Sequence, residues 1–129
     1  GNKCLGGLNR NIFNKYDMVL TGHFHHRSND GQIYYVGTPC EMMWSDYNDV
    51  KGFHILDTET REMKFVANPY QMFYRIKYDD SQTDFDFWKN YDYPKTKDSY
   101  VKIVVLNKQN PYLFDSVLDN FYKAEVADL

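Results

Sequence analysis

Cysteine is scarce in this 129-residue chain, with Cys4 and Cys40 alone. They form no C-x-x-C pair and no disulfide framework, so a reducing cytoplasm is the expected compartment. No apolar run approaches the eighteen or so residues of a membrane-spanning helix. The start, Gly1-Asn2-Lys3-Cys4, is not a signal peptide, and no membrane partner is expected. Neither sign of charge prevails. A formal net charge of -3 gives no global pull on nucleic acid, so any such contact must be local or mediated by metal ions. A calcium loop is missing too. Asp79, Asp80, Asp84, Asp86 and Asp92 lack the Asp/Asn ladder, central Gly and closing Glu at the required offsets, and read as a solvated linker or short helix pinned by Phe85, Phe87 and Trp88.

What is present argues against disorder: 43% of residues are hydrophobic and 18% aromatic. The length suffices for one domain or two small lobes. Residues 17 to 39 organise the chain. Met18-Val19-Leu20 has the composition of a strand buried on both faces and stops at Thr21-Gly22. His23 and His25 follow, two apart. In extended chain they point to one side, and a slight bend at Gly22 brings both rings toward one cavity, which is a metal-ligand spacing. The turn Asn29-Asp30-Gly31 reverses the chain, and Ile33-Tyr34-Tyr35-Val36 makes a second strand ending at Gly37-Thr38-Pro39.

Leu8, Ile12 and Phe13 have the spacing of a short helix before the first strand. After an irregular loop from Cys40 to Asp49, residues 52 to 57 and 62 to 66 read as a hairpin around Thr58-Glu59-Thr60-Arg61. Asn68-Pro69 breaks the pattern, which places one segment at residues 1–68 and a second at 69–129. In the second, residues 72 to 78 and 100 to 106 are strands. Asn110-Pro111 caps a helix carrying Leu113, Phe114, Val117, Leu118 and Phe121. This reads as a small β-α lobe joined to a hairpin partner that the chain forms elsewhere.

Neutral imidazole suits Mn, Zn or Fe, and a pair of ions about 4 Å apart can activate a bridging water and clamp a phosphate ester. His23 and His25 can serve one ion or one each of a pair. His26 projects away in extended chain and, with Arg27, is a candidate for outer-sphere or phosphate contact. A surface turn is the plainer explanation for an isolated H-x-H, but a position at a strand end after Leu-Thr-Gly favours chemistry. For His54, inside an alternating strand, and Cys40, beside Met42 and Met43, structural roles are expected. The ligand count is short. A hydrolytic pair needs carboxylates and further imidazoles, no histidine precedes His23, and Asp17 lies at the wrong end of the strand.

Val19-Leu20-Thr21-Gly22-His23-Phe24-His25 resembles the last motif of the calcineurin-like metallophosphoesterases, a strand running into G-H-x-H. Tyr35-Val36-Gly37-Thr38-Pro39 and Lys51-Gly52-Phe53 resemble the Y-x-G-S/T-P and K-G-F features of the SbcD-type DNA-repair nuclease branch. The resemblance covers residues 16 to 66. It implies an α/β fold, the C-terminal part of a four-layer αββα sandwich (residues 1–68), followed by a small α+β capping lobe that touches DNA (69–129). It further implies His23 and His25 as ligands of a two-Mn²⁺ centre (Mg²⁺ being possible), with Gly22, Gly37 and Thr38 shaping the site. The activity implied is exonucleolytic and endonucleolytic cleavage of DNA by a homodimer working with an SMC-like ATPase in recombination and double-strand-break processing, in the host cytoplasm if phage-encoded. The Asp-x-His, bridging Asp, Gly-Asn-His-Asp and further His motifs of the family are absent, so the chain by itself is expected to be inactive.

Two other functions share parts of this pattern. A metallophosphoesterase acting on nucleotides or phosphomonoesters uses the same G-H-x-H, and a DNA- or partner-binding module needs neither histidine. Lys95, Lys97, Lys102 and Lys108, diluted by Asp92 and Asp98, make a weak basic patch for the latter. The apolar strand without enough neighbours also predicts self-association.

Overall fold

The computed structural model describes residues 9–129. The fold is mixed α/β, with three small sheets and short helices, and divides into two compact units. The first comprises residues 9–39 and 51–67 of the described chain; the second comprises 40–50 and 68–129. Residues 40–50, which the sequence pattern leaves beside the first segment, pack with the second because Glu41 accepts the N–H groups of Met72 (2.7 Å) and Phe73 (2.9 Å) and Trp44 lies on the Phe73 ring.

In the first unit, β1 (Val19–Thr21) pairs in parallel with β3 (Ile33–Tyr35), and β2 (Ser28–Asn29) pairs antiparallel to the other edge of β3. The turn read at Asn29-Asp30-Gly31 joins β2 to β3 and overlaps β2 only at Asn29. Asp30 tightens the β2–β3 turn by accepting from the N–H groups of Ile33 and Gln32; these bonds, ahead of Arg10, hold its carboxyl below the usual range. The second sheet is the expected hairpin, β4 (Gly52–Leu56) with β5 (Met63–Ala67), and Asp57 closes its turn through the N–H groups of Glu59 and Thr60.

The expectation of a first strand buried on both faces is corrected. Leu20 is 49% exposed: β1 is the edge of its sheet, and Leu20 lines an open cavity with Val36, Leu56 and Met63 rather than a filled core. The helix expected around Leu8, Ile12 and Phe13 is a single 3-10 turn, Arg10–Phe13, and Leu8 lies outside the described residues.

The second unit holds the main core. β6 (Phe73–Asp79) and β7 (Tyr100–Asn107) run parallel, connected through α1 (Phe85–Lys89), a 3-10 turn and loops. No hairpin partner for β7 exists among the described residues; a connection this long lets the chain cross over and return parallel. α2 (Pro111–Lys123) starts where Asn110 accepts from the Leu113 N–H, with Pro111 at its first position, as its sequence predicts. Its apolar stripe packs Val117 and Phe121 with Tyr78, Trp88, Tyr93 and Val101. Each such side chain contributes about 1.5–3 kcal/mol. Every buried hydrophobic among the described residues except Ile33 belongs to this unit.

No helix among the described residues is long and apolar enough to cross a membrane.

Candidate functional site

The site is built on the paired ends of β1 and β3. The ladder continues one step past the strands, with Val36 N–H donating to the Thr21 carbonyl at 2.9 Å. Beyond it, residues 23–26 form consecutive bends rather than extended chain. The alternation that places His23 and His25 on one side therefore does not apply as written. His25 is half-buried, while His23, Phe24, His26 and Arg27 are exposed. The Phe24 ring contacts His23 edge-on at 4.9 Å and Tyr35 at 5.0 Å, tying this loop to the end of β3.

Three separate sequence features converge on one atom, the His25 carbonyl oxygen. Thr38 N–H donates to it at 3.3 Å, and Lys51 Nζ donates at 2.8 Å. A Cβ on Gly37 would stand 3.0 Å from the same oxygen and 3.3 Å from the Arg27 nitrogen, and Gly37 has φ +74°. A side chain there would crowd the histidine loop, and the left-handed φ itself favours glycine. Gly52 N–H donates to the Thr38 carbonyl at 3.3 Å, and its own missing Cβ would sit 2.1 Å from the Val66 carbonyl. The G-T-P and K-G-F segments are thus the clamp that holds the histidine loop.

Gly22 behaves differently. Its φ is not left-handed, and a Cβ would meet nothing within 4 Å. Thr38 works through its backbone; its Oγ1 is buried with no hydrogen-bond partner. Lys51, the donor that the sequence reading used only as part of a motif, is buried at 4% exposure, and the adjacency of Lys to Gly-Phe was its sole signal.

Arg27 turns away from the loop and lies over the Phe65 ring, 3.6 Å from its centroid. With Tyr34, Tyr35, His54 and Met63 it lines a cavity of about 320 Å³. His54 Nδ1 is buried without a hydrogen-bond partner, and desolvation, then the Arg27 charge, pushes the imidazole pKa down. The sequence offers no signal for this, since His54 sits in an ordinary alternating strand.

Imidazole is the right donor type for a divalent ion, but among the described residues no group of three His, Cys, Asp or Glu side chains is placed to hold one. Among the described residues His23 and His25 therefore have no third ligating side chain beside them, and no hydrolytic step is routed through a metal here.

The chain is similar to exonuclease subunit 1 of Enterobacteria phage T4, with 32% identity over 114 residues covering 88% of this chain and 32% of that protein. It therefore spans about a third of the length of this curated relative. No family model matches the sequence. No solved structure matches the chain.

Proposed function

We propose that this chain is part of a metal-dependent DNA phosphodiesterase, an exonuclease and endonuclease subunit of the calcineurin-like class. In this reading residues 1–68 contribute the last part of a four-layer αββα nuclease domain, and residues 69–129 begin a capping lobe. His23 and His25 each supply one imidazole to a two-Mn²⁺ centre, with Mg²⁺ as a possible substitute. His26 and Arg27 stand nearby as outer-sphere or phosphate contacts. DNA, a second subunit of the same kind and an SMC-like ATPase are its partners.

The observation that carries the reading is the convergence of Thr38 N–H and Lys51 Nζ on the His25 carbonyl, beside a left-handed Gly37 where a side chain would crowd the loop. Surface turns do not need a buried lysine to fix one carbonyl. A loop that must present imidazoles in a set direction does, because ligand geometry tolerates little error. The similarity to a phage exonuclease subunit supports the same class.

The test is histidine-selective NMR during Mn²⁺ addition, with calorimetry of the same chain beside His25→Ala. Substoichiometric Mn²⁺ is expected to broaden the His23 and His25 resonances ahead of His26 and His54, with weak calorimetric binding that falls further in the variant. Broadening that follows exposure alone, equal at His23 and His26 and unaffected by His25→Ala, overturns it.

A further inference from the structure

The cavity beside Arg27 lies within the first unit, where the β2–β3 edge of one sheet meets the β4–β5 hairpin. Strand alternation decides which side chains turn toward it. Asn29 pairs with Tyr34, so the two share a face, and Arg27, two residues before Asn29, falls on the same side. His54 and Met63 line the cavity from the hairpin. Phe65 stands beside them: its ring is 3.6 Å from the Arg27 guanidinium carbon and 5.1 Å from the His54 ring.

The chemistry of this wall is one-sided. No Asp or Glu lines the cavity, and among the described residues Arg27 has no carboxylate partner. The side-chain oxygen of Asn29 accepts from the Gly31 N–H at 3.2 Å, which leaves its NH₂ as a donor. Arg27, Asn29 and the Tyr34 hydroxyl thus offer donors and one uncompensated positive charge. That charge is felt on the opposite wall, where desolvation and then Arg27 push the His54 pKa down. His54 Nδ1 is buried there without a partner, and an orphan of this kind marks a polar site rather than a packed core. Stacking on Phe65 holds the guanidinium plane, so its paired donors lose little freedom when an acceptor arrives.

We propose that this cavity binds a small organic oxyanion, a carboxylate or phosphate monoester carried on a flat ring. Arg27 grips two of its oxygens as a fork, and Asn29 and Tyr34 donate to the anion beside it. The ring of the ligand lies against the Met63 thioether, a contact that sulfur makes well with aromatic edges. A volume of about 320 Å³ is at the lower end of ligand pockets, roughly 300–1,000 Å³, and holds one ring with its anionic group rather than a length of polymer. The site uses neither His23 nor His25 and does not rest on the metal reading above.

The test is histidine-selective NMR of the full 129-residue chain in EDTA, at a pH where His54 is neutral, titrated with phenyl phosphate, benzoate and inorganic phosphate. EDTA keeps metal out, so the outcome is independent of the Mn²⁺ experiment. Phenyl phosphate or benzoate is expected to shift the His54 resonance saturably, ahead of His23 and His26; the tighter of the two identifies the anionic group. Inorganic phosphate, which lacks a ring, should bind more weakly. Arg27→Gln is expected to weaken binding roughly tenfold or more, the loss of a hydrogen-bonded charge, and Arg27→Lys, which keeps the charge without the fork, should also weaken it. Met63→Ala should weaken the ring-bearing probes and leave inorganic phosphate unchanged, which tests the cavity without touching Arg27. Lys64→Gln, on the opposite face of β5, should be silent. Dispersion of the histidine resonances checks that each variant is folded. A His54 shift that does not saturate, that trails His23 and His26, or that is the same in Arg27→Gln overturns the proposal, as does inorganic phosphate binding as tightly as both ring-bearing probes.

Discussion

Lys51 Nζ reaches the carbonyl oxygen of His25 across 26 residues of sequence, at 2.8 Å, from a side chain that is almost wholly buried. That bond joins the start of the hairpin to the histidine loop. Replacing the lysine by methionine keeps the apolar stem and deletes the charged donor. Lys51→Met is expected to destabilise the first unit by about 1.5–3 kcal/mol, the usual worth of a hydrogen bond to a charged group. All four histidines lie in the first unit and both tryptophans in the second, so histidine resonances and tryptophan fluorescence report the units separately. An unchanged urea midpoint of the histidine signals would remove Lys51 from the clamp.

Gly52 and Gly22 should respond oppositely to the same change. A Cβ at Gly52 would lie 2.1 Å from the Val66 carbonyl and 2.8 Å from the Phe65 ring, so Gly52→Ala must push β5 from β4 and is expected to cost about 1–3 kcal/mol or more. Gly22→Ala meets open space and should leave stability within about 0.5 kcal/mol. Amide hydrogen exchange of the β4 and β5 strands distinguishes the two, and equal protection in both variants would contradict the packing described.

Thr38 carries a buried hydroxyl with nothing to bond. Thr38→Val keeps the shape and removes the unsatisfied group, so the chain should gain up to about 1 kcal/mol. A clear loss of stability would mean that the hydroxyl has a partner in solution.

Acid should weaken the first unit through His54. Its folded pKa lies below the ordinary 6.5 because of desolvation and the Arg27 charge. Above pH 6.5 both states are neutral and the contribution is fully present. As pH falls below 6.5 the unfolded chain takes up the proton first, and stability drops until the folded imidazole titrates as well. The urea midpoint of the histidine signals should decline between pH 7 and 5, and His54→Gln should flatten that decline. An identical slope in the variant would assign it to other groups.

Alkali should act on the second unit through Tyr78. Desolvation, then the hydrogen bond to Asp80 and the Asp80 charge, raise its pKa to about 12. The stabilisation is intact below the ordinary value of 10 and is lost as pH rises from 10 toward 12, because the unfolded phenol ionises first. Burial also raises Tyr74, Tyr91 and Tyr93, so several tyrosines should titrate late in phenolate absorbance, and the step near pH 12 should disappear in Tyr78→Phe. Its persistence in the variant would place the late group elsewhere.

Local rules account for the elements whose causes are local. The β4–β5 hairpin follows from alternation around a polar turn, and α2 follows from Asn110-Pro111 and a 3.6-residue apolar repeat; both stand as read. Chemical type at the site was also legible, since imidazole after a strand end needs no coordinates to be noticed. Other features depend on distant chain. Met18-Val19-Leu20 has the composition of a buried strand, yet Leu20 is half exposed, because burial is a property of neighbours and, among the described residues, β1 pairs with β3 alone. The parallel pairing of β6 with β7 rests on where a crossover returns, which no window of residues encodes. The clamp on His25 is a meeting of residues 25, 37–38 and 51, and its lysine and two glycines take their roles from the atoms that approach them. Residue chemistry and short-range backbone preference were therefore written in the order of amino acids. Burial, strand partnership and the function of Lys51, Gly37 and Gly52 were decided by long-range packing, which brings together groups that sequence distance keeps apart.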